Sequence, residues 1–89
     1  PFASYYAEVM RLLYARWSPP PQVGGERSAP VVRFEVQASG KILKRTLVAG
    51  SGVKAYDDSV MKAVASVSQL PRLPSGYPYS YVEVVFTIE

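Results

Sequence analysis

Residues 32–48 read VRFEVQASGKILKRTLV. Val32, Phe34 and Val36 alternate with Arg33, Glu35 and Gln37, so an extended chain here has one apolar face and one wet face. Ser39-Gly40 supplies a tight turn, because glycine takes positive φ without steric cost. Ile42 to Val48 returns as a second strand. Its alternation breaks where Ile42 and Leu43 stand side by side, and a bulge near Lys44 brings both Ile42 and Leu47 inward. The stretch is an antiparallel hairpin.

Beyond the hairpin, Gly50-Ser51-Gly52 ends the second strand, and the spacing of Tyr56, Val60, Ala63, Val64 and Val67 predicts a helix over Tyr56 to Val67. Asp57 and Asp58 stand in its first turn, where carboxylates complement the helix dipole. Leu70-Pro71-Arg72-Leu73-Pro74 forces an extended segment, and Ser75-Gly76-Tyr77-Pro78 is a turn. A third strand runs from Tyr79 to Ile88, with Val82, Val84, Phe86 and Ile88 on one side and Tyr81, Glu83, Val85 and Thr87 on the other. Upstream of the hairpin, Tyr6, Val9, Met10, Leu13 and Trp17 recur at spacings of three and four. They predict a helix over Phe2 to Trp17, with Ser4 as N-cap and Glu8 in the first turn. Pro19-Pro20-Pro21 ends it, and Gln22 to Pro30, with Gly24-Gly25, is a loop.

The order helix–strand–strand–helix–strand fits an α+β fold. If the third strand lies beside the first, the sheet is antiparallel with order 2-1-3 and both helices cover its apolar face. The third strand is then an edge, and its outer backbone groups are a template for pairing with another chain. Residues Tyr79, Ser80, Tyr81, Val82, Glu83, Val84, Val85, Phe86 and Thr87 are the candidate partner-binding segment. Trp17 is expected to be buried where the first helix meets the sheet.

Eighty-nine residues make one small domain, residues 1–89, and 48% hydrophobic against 19% charged is globular rather than disordered composition. There is no cysteine and no histidine, which removes disulfides, thiolate metal sites, cysteine nucleophiles and the commonest general base. No catalytic residue, cofactor site or metal site is assigned. The net charge of +3 comes from ten Lys and Arg that never form a run, so a nucleic-acid partner is not expected. No apolar stretch approaches the ~20 residues of a membrane span. The chain opens on Pro1 rather than Met, as expected of a fragment of a longer protein.

The remaining polar motifs read as structural. Asp57 and Asp58 are adjacent on a helix and point about 100° apart, unlike two carboxylates that face each other across a cleft. Ser51 between glycines has no histidine to activate it, and only Lys54 is at hand as a base. Gly50-Ser51-Gly52 lacks both the lysine end of a P-loop and the third glycine of a dinucleotide fingerprint. The tyrosines are more informative. Tyr5, Tyr6, Tyr14, Tyr77, Tyr79 and Tyr81 cannot all be core in a domain of this size, and Tyr77, Tyr79 and Tyr81 lead into the edge strand. An open sheet face with tyrosines also suits a small single-stranded RNA-binding module. The first strand's wet face lacks the central aromatic pair that such a module uses.

The motifs together resemble the C-terminal domains of TonB and TolA. Trp17-Ser18-Pro19 is similar to the tryptophan–proline ending of their first helix. Val32-x-Phe34-x-Val36-x-x-x-Gly40-x-Ile42 is similar to their first hairpin. Ser51-Gly52-x-x-x-Tyr56-Asp57-x-x-Val60-x-x-Ala63-Val64 resembles their serine–glycine turn and second helix. Leu70-Pro71-x-Leu73-Pro74, followed by Val82-x-Val84-x-Phe86-x-Ile88, resembles the closing segment. The match runs nearly end to end. Two departures stand out: Gly50-Ser51 occupies the place of a common serine pair, and the disulfide of some TolA members is impossible here.

The resemblance implies a non-enzymatic periplasmic module of an energy transducer. An N-terminal anchor in the bacterial inner membrane is expected upstream, where a proton-driven motor would act on it. The module itself would grip a periplasmic segment of an outer-membrane β-barrel receptor, added to the sheet edge. A TolA-like domain, serving envelope integrity with Tol-Pal proteins as partners, is the alternative. An unpartnered edge also suits a homodimer through the same strand.

Overall fold

The computed structural model describes residues 2–20 and 28–88. Pro21 and most of the predicted loop, residues 22–27 with Gly24-Gly25, lie outside the described residues. The elements are α1 (Ala3–Ala15), β1 (Val31–Val36), β2 (Ile42–Ala49), α2 (Lys54–Ala65) and β3 (Tyr81–Val85). The third strand lies beside the first, so the sheet is antiparallel with the expected order β2-β1-β3.

Apolar alternation builds the core. Val32, Phe34 and Val36 of β1 and Val82 and Val84 of β3 are buried, followed by Phe86. The α2 face of Tyr56, Val60, Ala63 and Val64 packs on them, followed by Val67 just past the helix. In β2 the predicted irregularity falls at Leu43, one residue before Lys44, because Glu35 pairs with Lys44 and Val36 with Ile42. Ile42 is thereby buried and Leu47 half-buried, while Leu43 is turned out. A second register shift lies between Val31 and Val32, opposite Val48.

The first helix departs from its expected face. The buried row is Tyr5, Val9 and Leu13, followed by Trp17, whereas Tyr6 is only half-buried and Met10 is 39% exposed. Tyr5 can go inward because its hydroxyl donates to the Pro71 carbonyl at 2.8 Å, leaving no unpaired polar group. Ser4 is not the N-cap. Phe2 holds that position, no side chain caps the helix, and Glu8 lies beyond the first turn. The second helix begins at Lys54, two residues before Tyr56, and ends at Ala65. The third strand is shorter at both ends than Tyr79 to Ile88, but single backbone bonds extend its ladder to Ser80 and Phe86.

Glycine is required at one turn in particular. Gly40 has φ of +93°, and a Cβ there would lie 2.1 Å from the Leu70 carbonyl oxygen. The Leu70 N–H donates to the Gly40 carbonyl at 2.9 Å, and Leu73 donates to Ala38 at 3.0 Å. The hairpin turn therefore holds the proline-rich segment that delivers the chain to β3.

Candidate functional site

The two edges of this sheet differ. Along β2, two register shifts twist the strand, and Lys41, Lys44 and Arg45 line it. Its start is paired by Gln69 opposite Lys41. Arg45 reaches back to the Val64 and Val67 carbonyls at the end of α2. Bulges and cations are the usual means of blunting an edge. The register of β3 on β1 is unbroken from Tyr81 to Val85, and Glu83 is its one charged residue.

The hydrogen bonds at the ends of the β1–β3 ladder fix which backbone groups of β3 face outward. Val36 donates to Ser80 at 3.0 Å, and Phe86 donates to Pro30 at 2.9 Å. Antiparallel ladders bond alternate residues. Ser80, Val82, Val84 and Phe86 therefore direct their N–H and C=O toward β1, and Tyr81, Glu83, Val85 and Thr87 direct theirs away from the sheet. The side chains follow the same parity. Val82, Val84 and Phe86 are buried, Tyr81 is half-buried, and Glu83, Val85 and Thr87 are exposed on the wet face, as is Tyr79 just before the strand. Neither the sequence nor its alternation carried this parity of hydrogen bonding.

Three of the four outward residues are met by tyrosine hydroxyls from elsewhere in the chain. Tyr77 donates to the Tyr81 carbonyl at 2.9 Å. With that proton committed, the 2.9 Å contact between Tyr6 and Tyr77 hydroxyls has Tyr6 as donor. At the other end Tyr14 donates to the Val85 carbonyl at 2.9 Å and accepts from the Thr87 N–H at 2.8 Å. Among the described residues, no hydrogen bond engages the outward N–H groups of Tyr81, Glu83 and Val85 or the Glu83 carbonyl.

The wet face beside this edge is ordered by Arg33. Its guanidinium pairs with Glu83 at 2.6 Å and lies 4.4 Å from the centre of the Tyr81 ring. The hydrogen bond to Glu83 raises the Arg33 pKa above its ordinary value. Tyr81 continues into a run of rings, with Tyr79 5.2 Å away and Tyr77 5.8 Å beyond that. Tyr77 also contacts Phe2 at the N-cap of the first helix and Tyr5 and Tyr6 within it. Burial pushes the Tyr77 phenol well above the usual tyrosine range.

The other motifs are structural in their contacts. Asp57 accepts the Ser51 N–H at 2.9 Å, so the carboxylate braces the turn before α2. Asp58 pairs with Lys54 on the helix surface. The Ser51 hydroxyl bridges the Val53 N–H and carbonyl, which closes the turn locally. A groove between the end of α1 and α2, lined by Arg16, Asp58 and Lys62, mixes both signs of charge.

The helix–strand–strand–helix–strand order and the 2-1-3 antiparallel sheet are the fold that the resemblance to TonB and TolA C-terminal domains implies. The chain belongs to the TonB C-terminal family, whose model matches residues 2–88. Its fold is similar to that in the solution NMR structure of TolAIII bound to a peptide derived from the N-terminus of TolB. That likeness has a TM-score of 0.80 at 24% identity and covers 100% of this chain and 76% of that one. No curated protein matches the chain.

Proposed function

We propose that this chain is the periplasmic, partner-binding domain of a TonB-like energy transducer, and that an extended segment of an outer-membrane receptor pairs with the outer edge of β3. The observation that carries this reading is the contrast between the two edges. One is twisted and lined with cations, and the other is regular, with the N–H and C=O of Glu83 both directed outward. Main-chain pairing to such an edge supplies affinity from groups that every extended peptide possesses. In the full protein, an N-terminal inner-membrane anchor would couple residues 1–89 to a proton-driven motor, and the domain would transmit that energy to the receptor's transport cycle.

A TolA-like role is the second reading, and the TolAIII neighbour, solved with a TolB peptide, favours it. The two are separated by NMR titration with periplasmic segments of outer-membrane receptors and with the TolB N-terminal peptide. Receptor segments that shift the amides of Tyr81, Glu83 and Val85 support the transducer. Binding of the TolB peptide alone assigns the domain to the Tol-Pal system. Shifts confined to the first helix around Tyr5 and Arg11 would exclude edge pairing in either role.

A further inference from the structure

The edge of β3 is bounded by α1, and the two elements are in step. Tyr6 reaches the start of β3 through Tyr77, and Tyr14 reaches its end at Val85. From Tyr6 to Tyr14 the helix rises about 12 Å at 1.5 Å per residue. From Tyr81 to Val85 the strand advances about 13 Å at 3.3 Å per residue. Met10 stands on the same helical row, one turn from each tyrosine, and is therefore level with Glu83. It is among the few large apolar side chains left exposed.

A strand laid along β3 would place the residue opposite Glu83 on the wet face. Its two neighbours, opposite Val82 and Val84, would turn toward α1, about 6–7 Å apart. The row Tyr6, Met10, Tyr14 has two gaps at nearly that spacing, both walled by apolar groups. The ends are closed. The Thr87 N–H has one hydrogen, and Tyr14 already accepts it while donating to Val85. That single hydroxyl does what one residue of an added parallel strand would do, donating to one outward carbonyl and accepting from the next outward N–H.

The geometry points to a bounded docking slot. A short extended segment pairs with the N–H and C=O of Glu83 and the N–H of Val85, two apolar side chains separated by one residue enter the gaps of the Tyr6–Met10–Tyr14 row, and the Tyr77 and Tyr14 hydroxyls, which already hold the Tyr81 and Val85 carbonyls, stop the pairing at either end. The slot rests on the edge-addition reading of the preceding subsection and adds the pattern and length of the segment it takes. The partner is a protein segment of apolar–any–apolar pattern, paired over about three residues.

The test uses peptides selected from a random seven-residue phage library against the wild-type domain, then resynthesised for titration. Selected peptides should share the apolar–any–apolar pattern and shift the amides of Tyr81, Glu83 and Val85. Met10→Gln should weaken them about tenfold, whereas Leu43→Gln, on the blunted edge, should not. Extending a peptide past Val85 should gain nothing in the wild type and roughly tenfold in Tyr14→Phe, where the ring stays but the cap is gone. Amide exchange checks the cap with no peptide present. Thr87 should be protected in the wild type and lose that protection in Tyr14→Phe, while Glu83 exchanges fast in both. Peptides that shift the β3 amides but ignore Met10→Gln and Tyr14→Phe would overturn the slot and leave edge pairing standing. No selected binder, or shifts elsewhere, would overturn both, and an unprotected Thr87 in the wild type would remove the cap.

Discussion

The Trp17 indole N–H donates to the Ser59 hydroxyl at 3.0 Å, which ties the chain just after α1 to the middle of α2. The same ring stacks on Tyr56 at 6.0 Å and meets Phe86 edge-on at 5.3 Å. Trp17 therefore joins both helices to the segment that follows β3. Removing it as Trp17→Ala should cost about 3–5 kcal/mol, the range for a large core aromatic. Ser59→Ala strands the indole donor and should cost about 1–3 kcal/mol. Urea unfolding measures both, and a loss under about 1 kcal/mol for Trp17→Ala would show that the ring does not hold the core.

Asp57 is expected to act on stability and not on partner binding. Its carboxylate accepts from Ser51 and stands in the first turn of α2. Asp57→Asn keeps an acceptor and loses only the charge at the helix start, about 0.3–1 kcal/mol. Asp57→Ala loses both and should cost about 1–2 kcal/mol. Thermal unfolding gives the order, and peptide affinity should be the same in both variants. A drop in affinity at unchanged stability would make Asp57 a contact residue.

Two glycines with positive φ should respond differently to alanine. At Gly52 a Cβ meets nothing within 4 Å, so Gly52→Ala carries backbone strain alone, about 1 kcal/mol. At Gly40 the same strain is joined by a clash with the Leu70 and Pro71 carbonyls at 2.1 and 2.8 Å. Gly40→Ala should be the costlier by at least about 1–2 kcal/mol, and it should loosen the segment before β3. Equal losses in urea unfolding would mean that the segment around Leu70 moves aside without cost.

Alkaline pH should destabilise the domain through its buried phenols. Burial, with smaller effects of Glu8 and Tyr6, pushes the Tyr5 pKa up to about 12, and Tyr77 is also raised. An unfolded chain loses these protons near pH ~10, while the folded one still holds them. The raised folded pKa means that the stabilisation is complete below about pH 10 and is lost as the pH climbs through about 12. Unfolding free energy should fall above about pH 10, less steeply in Tyr5→Phe. An unchanged slope in that variant would separate the alkaline loss from Tyr5.

The sequence showed most of the fold because the strands follow one rule. Val32, Phe34, Val36, Val82 and Val84 alternate without exception, so the buried faces could be read directly, while the order 2-1-3 also required the third strand to lie beside the first. The α2 face was equally plain. The α1 face was not, because Tyr5 and Tyr6 are the same residue type. Which one goes inward depends on the Pro71 carbonyl, a partner 66 residues away in sequence. The candidate edge was legible as a segment. Its bonded parity and its hydroxyl caps were not, since Tyr14 and Val85 are 71 residues apart and no local pattern couples them.

That parity sharpens the test of edge pairing. Proline deletes an N–H and sets a ring in its place, so its effect depends on where that N–H points. At Val84 the N–H faces β1, and Val84→Pro should break the β1–β3 ladder and unfold the domain or strip the pair. At Glu83 the N–H faces away from the sheet, so Glu83→Pro should keep the ladder. It would also lose the Arg33 ion pair, a surface contact of about 0–1 kcal/mol, for which Glu83→Ala is the control. The expected result is a folded Glu83→Pro domain, by its amide spectrum, that has lost the peptide, beside a folded Glu83→Ala domain that keeps it. A folded Glu83→Pro domain with wild-type affinity would mean that the partner does not pair with β3, because no strand can bond along that edge past the proline ring.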